Sequence, residues 1–243
     1  MRIWRLYFFL NFFLTLLFFF GIFYFLLPRP RFQKIAHRLQ VWWSGYLLRT
    51  AGIRWRIFGM ENWPPQGSFV VVANHSSALD ILLMYHCLPR VFHFVAKVEH
   101  AQTPLFGVMF GHTHIAVDRK NPLKAAKAME KARADLERGI PIVIFPEGTM
   151  NTRGHGLLPF KSGAFRLAAE AGVPVVPVAF PDHPRLLPRI YQLFYPGGGP
   201  GVSNIFIGPP MYPEGNKNKW PALRDAAQKF IHGHLENPAF PKI

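Results

Sequence analysis

The chain has 243 residues, 50% of them hydrophobic and 15% aromatic, which excludes a disordered chain and allows one domain with a substantial core plus a small attachment. With 28 Lys and Arg against 13 Asp and Glu the formal charge is +15, which favours anionic partners: a lipid surface, phosphorylated substrates or nucleic acid. Cys87 is the single cysteine, so an intrachain disulfide and a cysteine-cluster zinc site are both excluded.

From Leu6 to Leu27 the sequence "LYFFLNFFLTLLFFFGIFYFLL" carries no charge. Such a run is long enough to cross a bilayer as a helix, which takes about 20 residues. It exceeds the h-region of a signal peptide and holds bulky aromatics to its end in place of an A-x-A-like site, so retention in the membrane is expected. Arg29, Arg31, Lys34 and Arg38 follow it, against Arg2 and Arg5 before it. If the segment spans, the positive-inside bias puts the C-terminal body in the cytoplasm, and a bacterial inner membrane is the expected location. The next stretch, "LQVWWSGYLLRTAGI" (Leu39 to Ile53), is too short to span. Its Trp42, Trp43 and Tyr46 suit an interfacial helix, a core helix of the body, or a pair of helices dipping together into one leaflet.

Linker-like composition appears at "PRPRF" (Pro28 to Phe32), "NWPPQG" (Asn62 to Gly67) and "YPGGGPG" (Tyr195 to Gly201). Strands are predicted at Ser68 to Ala73, Phe92 to Ala96, His114 to Val117 and Ile140 to Phe145, then at "VPVVPVAF" (Val173 to Phe180) and "SNIFIG" (Ser203 to Gly208). Helices are predicted at Leu79 to Leu88, Lys161 to Gly172 and Ala222 to Leu235, with the clearest between Asn121 as N-cap, Pro122 at its first position and Gly139 as stop. Pro177 fits poorly in a central strand and points to an edge or a bulge. The expected fold is α/β: a mostly parallel central sheet flanked by helices, with an N-terminal membrane-associated helical segment. Residues 1–58 are read as that anchoring region and 59–243 as the α/β domain.

Two polar stretches directly follow buried strands: "NHSSALD" (Asn74 to Asp80) and "FPEGT" (Phe145 to Thr149). In open α/β sheets ligands gather at the carboxyl ends of strands, so parallel neighbours would turn both stretches to one crevice. A separation of five residues leaves side chains about 140° apart on a helix and on opposite faces of a strand. His75 therefore meets Asp80 only if His75 lies in the turn and Asp80 near the start of the next helix, with Ser76 or Ser77 as N-cap. That pair would be a general base; the alternative is an ordinary cap beside a solvated histidine. There is no G-x-S-x-G elbow, and Cys87 lies in an apolar helical run as a core residue. A base without a protein nucleophile suggests activation of a substrate hydroxyl. "HTH" (His112 to His114) lacks further metal ligands, and "GGGPG" lacks the spacing of a phosphate cradle.

Four blocks in chain order resemble the glycerolipid acyltransferases, especially the 1-acylglycerol-3-phosphate (lysophosphatidic acid) acyltransferases. They are "NHSSALD", "KVEHAQTPLFG…HIAVDR" (Lys97 to Arg119), "FPEGT" continued by "LPFKSGAF", and "VPVVPVAF", and together they cover Phe69 to Phe180. The resemblance implies that His75, oriented by Asp80, deprotonates the free hydroxyl of a lysolipid, which attacks the thioester of acyl-CoA or acyl-carrier protein without an acyl-enzyme. It implies that Glu147, Gly148 and Thr149 line the acceptor site and that Lys97 and Arg119 hold its phosphate, with Lys161 a further candidate. No cofactor beyond the acyl donor and no metal is implied, and anionic membrane lipids, not nucleic acid, become the expected surface partner.

Two positions depart from the pattern. Met150 stands where the third block usually has arginine, and a thioether cannot grip a phosphate as a guanidinium does. Arg153 could supply that charge, or the acceptor is another lysophospholipid or a lyso-ornithine lipid. The second departure is His100, where leucine is common. A non-catalytic, membrane-tethered basic protein that binds lipid headgroups or nucleic acid is the reading from another class.

Overall fold

A computed structural model describes residues 2–101, 107, 114–118, 120–153, 155–188, 196–213 and 220–236. Its strands are β1 (Ile53–Phe58), β2 (Val70–Ala73), β3 (His93–Lys97), β4 (His114–Val117), β5 (Ile142–Ile144), β6 (Val175–Ala179) and β7 (Gly201–Ile207). They form one sheet in the order β1-β7-β6-β2-β5-β3-β4. Neighbours are parallel throughout except β6 with β7, so β1 and β7 run against the rest. The sheet is thus mixed but mostly parallel.

The helices are α1 (Arg2–Leu26), α2 (Gln33–Thr50), α3 (Leu79–Cys87), α4 (Val98–Ala101), α5 (Pro122–Glu137), α6 (Gly163–Ala171), α7 (His183–Leu186) and α8 (Trp220–Glu236). The strand period of two divides the central valines between two cores. Val71 and Ala73 join a cluster with Trp43, Leu47 and Leu48 of α2 and Leu79 and Leu83 of α3. Val70 and Val72 join one with Ala132 of α5, Phe165 of α6 and Ala227 of α8. Each of these valines is fully buried, a gain of about 1.5–3 kcal/mol per side chain over exposure. A charged residue at Val71 would break the first layer.

Local signals were read closely for α5: the Asn121 side chain accepts the Lys124 N–H at 3.1 Å, Pro122 opens the helix, and Gly139 past its end has φ +79°. Three elements were not anticipated, β1, the short α4 (Val98–Ala101) and α7. The sheet begins before the expected division at 58 and 59, because Ile53–Phe58 pairs with β7 along its edge. The single turn α7 follows β6 after Asp182.

For the edge alternative, Pro177 is a correction: it lies in β6, between β7 and β2, not at an edge. Its carbonyl accepts the Gly208 N–H at 2.8 Å, so its missing N–H also faces the β7 side. There the antiparallel ladder is limited to Val178 with Ile207 and Ala179 with Phe206, and no ladder bond is lost toward β2.

α1 and α2 form an antiparallel pair. Phe12 stacks on Trp43 with centroids 5.4 Å apart, and the Trp43 indole donates to Thr15 Oγ1 at 2.9 Å. The Asn11 amide donates to Thr50 Oγ1 at 2.9 Å. At the start of α1 the Trp4 indole donates to the Ala51 carbonyl at 2.8 Å, and Arg5, wholly buried, donates to the Pro188 carbonyl at 2.7 Å. The outer side of α1 is apolar and exposed, with Leu10, Phe13, Leu14, Leu17 and Phe18. α2 has both characters foreseen for its sequence: Trp43 is buried in the core while Trp42 and Tyr46 face outward.

Candidate active site

β2 and β5 are adjacent and parallel, with Val72 opposite Ile144, so the two polar stretches leave the sheet side by side. His75 sits in the turn after β2, and Asp80 is the second residue of α3. The His75 ring reaches the carboxylate with Nδ1 2.8 Å from Asp80 Oδ2. That oxygen also accepts the main-chain N–H of Ser76 at 2.7 Å and of Ser77 at 2.9 Å. The N-cap is Ala78, without a side-chain bond, and not Ser76 or Ser77 as expected; Ser77 stands one residue before it, where its hydroxyl accepts the Leu79 N–H at 3.2 Å. Asp80 and Ser77 together thus cover the exposed amides of the turn and the first turn of α3.

Asp80 has no solvent exposure, and its second oxygen is bonded to Nδ1 of His183, itself fully buried in α7. His183 Nε2 in turn contacts Ser203 Oγ of β7 at 2.7 Å. Burial pushes the Asp80 carboxyl up, but the hydrogen bonds and charges of His183 and His75 more than reverse it and hold its pKa at about 2. Asp80 is therefore an anion at neutral pH. A carboxylate only accepts, so each imidazole presents an Nδ1–H to it, and Nε2 of His75 is left as the free, proton-accepting nitrogen.

The loop after β5 holds His75 by its backbone. The His75 N–H donates to Glu147 Oε1 at 2.8 Å, and the Asn151 N–H donates to the His75 carbonyl at 2.7 Å. The other oxygen of Glu147 accepts the Leu158 N–H at 2.8 Å. Glu147 is 3% exposed, and burial keeps its carboxyl above its ordinary pKa despite these donors. With both oxygens engaged by main chain, Glu147 supports the loop beside His75. The Phe145 ring lies flat against His75, 4.1 Å between centroids and 15° from parallel, and Phe94 stacks behind it.

The cationic candidates separate. Gly148 turns with φ +75°, and a Cβ there would lie 2.9 Å from Nζ of Lys161, so the Lys161 side chain lies over this loop. Lys97 is exposed at the end of β3, two strands from β2 at the same edge of the sheet. Thr149 and Arg153 are exposed, and Met150 is half-buried. Arg119 and His112 lie outside the described residues, as does the His100 side chain. Among the described residues no group of three or more His, Cys, Asp or Glu side chains is arranged to hold a metal ion. A second His–Asp contact, His93 to Asp135 at 2.8 Å, lies at the opposite, amino end of β3.

His183 and Ser203 were missed. Ser203 left a trace, being the polar member of the inward series Ser203, Ile205, Ile207 in "GVSNIFI". His183 left none: it is 103 residues from Asp80 and sits in no periodic pattern.

The sequence matches the family described as Acyltransferase over residues 54–181. A 1-acyl-sn-glycerol-3-phosphate acyltransferase alpha of Mus musculus is 34% identical over 180 residues, covering 73% of this chain and 62% of that protein. A 1-acyl-sn-glycerol-3-phosphate acyltransferase of Haemophilus influenzae is 38% identical over 144 residues, 55% of this chain and 59% of its own length. The chain spans about half of other curated relatives, such as 49% of one from Caenorhabditis elegans. The crystal structure of the 1-acyl-sn-glycerophosphate (LPA) acyltransferase PlsC from Thermotoga maritima superposes with a TM-score of 0.79 at 25% identity, covering 97% of both chains. Matched over more than half its length by the family's pattern, the chain belongs to the Acyltransferase family.

Proposed function

We propose that the chain transfers an acyl group from acyl-CoA or acyl-carrier protein to the free hydroxyl of a lysophospholipid, with lysophosphatidic acid as the leading acceptor. The relatives named above act, by their names, on 1-acylglycerol-3-phosphate, and that is the support for the acceptor. The observation that carries the chemistry is the contact of His75 Nδ1 with the buried Asp80 anion, which leaves Nε2 as base. His75 Nε2 takes the hydroxyl proton as the oxygen attacks the thioester carbonyl. The new C–O bond forms, the C–S bond breaks, and the proton passes from His75 to the departing thiolate. A positioned base of this kind contributes about 10²–10⁴-fold.

Acyl transfer by the purified chain in detergent, with a panel of lysolipids, tests this reading. Activity lost in a folded His75→Ala variant is the expected result; undiminished transfer would remove His75 from the mechanism. Met150 favours keeping a second acceptor class in that panel, a lysolipid without a terminal phosphate such as lyso-ornithine lipid, because the usual guanidinium is missing from the loop.

The N-terminal pair of helices supports a membrane-bound protein that lies on one leaflet. Arg5 at the start of α1 is bonded to Pro188 of the body, and the end of α2 leads directly into β1 of the sheet. α2 carries Lys34, Arg38 and Arg49 and is not apolar enough to cross back, so a spanning α1 would separate those points by a hydrocarbon core of about 30 Å. With its apolar side outward, α1 is suited to lie in the headgroup and acyl boundary, with Trp42 and Tyr46 at its margin and anionic lipids attracted to the basic body. For a non-spanning anchor the side is set instead by the +15 formal charge, which suits the anionic cytoplasmic leaflet.

A further inference from the structure

We infer that His183, backed by Ser203, is a positioning residue for the transfer reaction, holding the Asp80 carboxylate in the orientation that serves His75. The inference rests on the reading of His75 as the base.

An Asp carboxylate turns easily about its last torsion, which is broad and two-fold. In this site the two oxygens are not equivalent. Oδ2 collects the Ser76 and Ser77 amides and His75, while His183 bonds Oδ1. A donor on Oδ1 fixes the carboxylate plane and keeps Oδ2 toward His75. His183 is itself fixed on three sides. Its ring lies on Phe180 with centroids 4.7 Å apart and 19° between planes, Nδ1 meets Asp80, and Nε2 meets Ser203 Oγ at 2.7 Å. With Nδ1–H committed to the carboxylate, Nε2 of the neutral ring accepts the Ser203 hydroxyl proton, so the serine selects the tautomer that Asp80 needs.

His183 and Ser203 have no solvent exposure, so neither meets a substrate directly. The pair also bears on the basicity of His75. Two imidazoles share one anion, and the N–H of His183 withdraws part of the carboxylate charge that would otherwise act on His75 alone. The other charged group facing this network is Glu147, whose carboxylate lies near both His75 and Asp80; Lys161 lies over Gly148 of the same loop. Asp182, next to His183, turns away to accept from the Asn204 main chain at 2.7 Å.

The test is acyl transfer by the full chain in detergent across pH, with circular dichroism on each preparation. His183→Leu is expected to lose about 10–100-fold in kcat, with acceptor KM within about twofold, because one hydrogen bond to a charged group is lost and no substrate contact is. The acid limb of kcat/KM moves to higher pH, since Asp80 then acts more strongly on His75. His183→Asn returns an N–H close to Nδ1 and is expected to recover kcat to within about threefold. Wild-type kcat and an unmoved acid limb in folded His183→Leu would overturn the inference, as would equal losses in the leucine and asparagine variants with no change of pH profile. If His183→Leu does not fold, Ser203→Ala decides: a loss of about threefold with a smaller upward move of the acid limb supports the inference, and no change overturns it. His75→Ala run alongside separates the two readings: retained activity there removes the base itself, whereas lost activity there with unaffected His183 and Ser203 variants removes only the positioning pair.

Discussion

Glu147 and His75 are joined through the main chain: the His75 N–H donates to Glu147 Oε1 at 2.8 Å, and the other carboxylate oxygen takes the Leu158 N–H at 2.8 Å. A residue of the "FPEGT" loop thus sets where the "NHSSALD" loop stands. Removing the carboxylate leaves two half-buried amide groups without their acceptor, each costing up to about 1–3 kcal/mol. Glu147→Ala is therefore expected to lower unfolding free energy by about 2–4 kcal/mol and kcat by about 100-fold. Glu147→Gln keeps one acceptor oxygen and loses less of both. Denaturant melts and steady-state kinetics check this, and a wild-type kcat in Glu147→Ala would separate the loop contact from catalysis.

Lys161 lies over Gly148, while position 150 carries methionine in place of the family's usual arginine. We propose that this ammonium meets the acceptor phosphate. Lys161→Ala is expected to raise KM for lysophosphatidic acid about tenfold, with kcat within about twofold, as loss of one charge-assisted hydrogen bond requires. A lysolipid lacking the terminal phosphate should be unaffected. Gly148→Ala tests the same contact from the other side, because its Cβ would lie 2.9 Å from Lys161 Nζ at a φ of +75°. Unchanged KM in both variants would leave phosphate recognition to Lys97 or to residues outside this loop.

Much of the alternation was legible because the central strands are short apolar runs and the helix at Pro122–Glu137 begins and ends at strong signals, Asn121 and Gly139; β1, with Arg54 and Arg56, was not. The His75–Asp80 contact was legible for a geometric reason: a five-residue separation closes only across a strand, turn and helix junction. Other features depend on distant chain segments. Arg5 reads as a flanking charge of an apolar run, yet its partner is a carbonyl 183 residues away. His183 reaches Asp80 only because α7 follows β6, which the sheet order sets beside β2. Of the edge and the bulge that Pro177 suggests, the edge is absent, but the pairing slips by one residue between Val178–Ile207 and Val175–Met211, as at a bulge.

The seam between α2 and α3 carries two histidines with depressed pKa values. Burial lowers His37 to about 4, and burial followed by the Arg49 charge lowers His86 to about 4. His37 lies against Tyr85 and Phe92, and His86 Nε2 contacts Ser44 Oγ at 3.0 Å. An unfolded histidine titrates near 6.5, so between pH 6.5 and about 4 the unfolded chain binds more protons than the folded one. Stability therefore falls as pH drops through that window. The expected result is a Tm that declines from pH 7 to pH 4, less steeply in His86→Gln. An identical decline in that variant would assign the acid sensitivity elsewhere.

A one-leaflet anchor makes a sided prediction. Arg2 is exposed at the start of α1, and Lys229 is exposed on α8 of the body. If α1 lies in the interface, both positions are on the same side of the membrane; if α1 spans, they are on opposite sides. Cys87 is fully buried and burial raises its thiol pKa, so it stays silent toward thiol reagents. Arg2→Cys and Lys229→Cys can then be labelled separately with a membrane-impermeant maleimide, in sealed vesicles of each orientation. The expected outcome is that both react in inverted vesicles and neither in right-side-out ones. Reaction of Arg2→Cys alone in right-side-out vesicles would establish a span and would require the Arg5 contact with Pro188 to break on insertion.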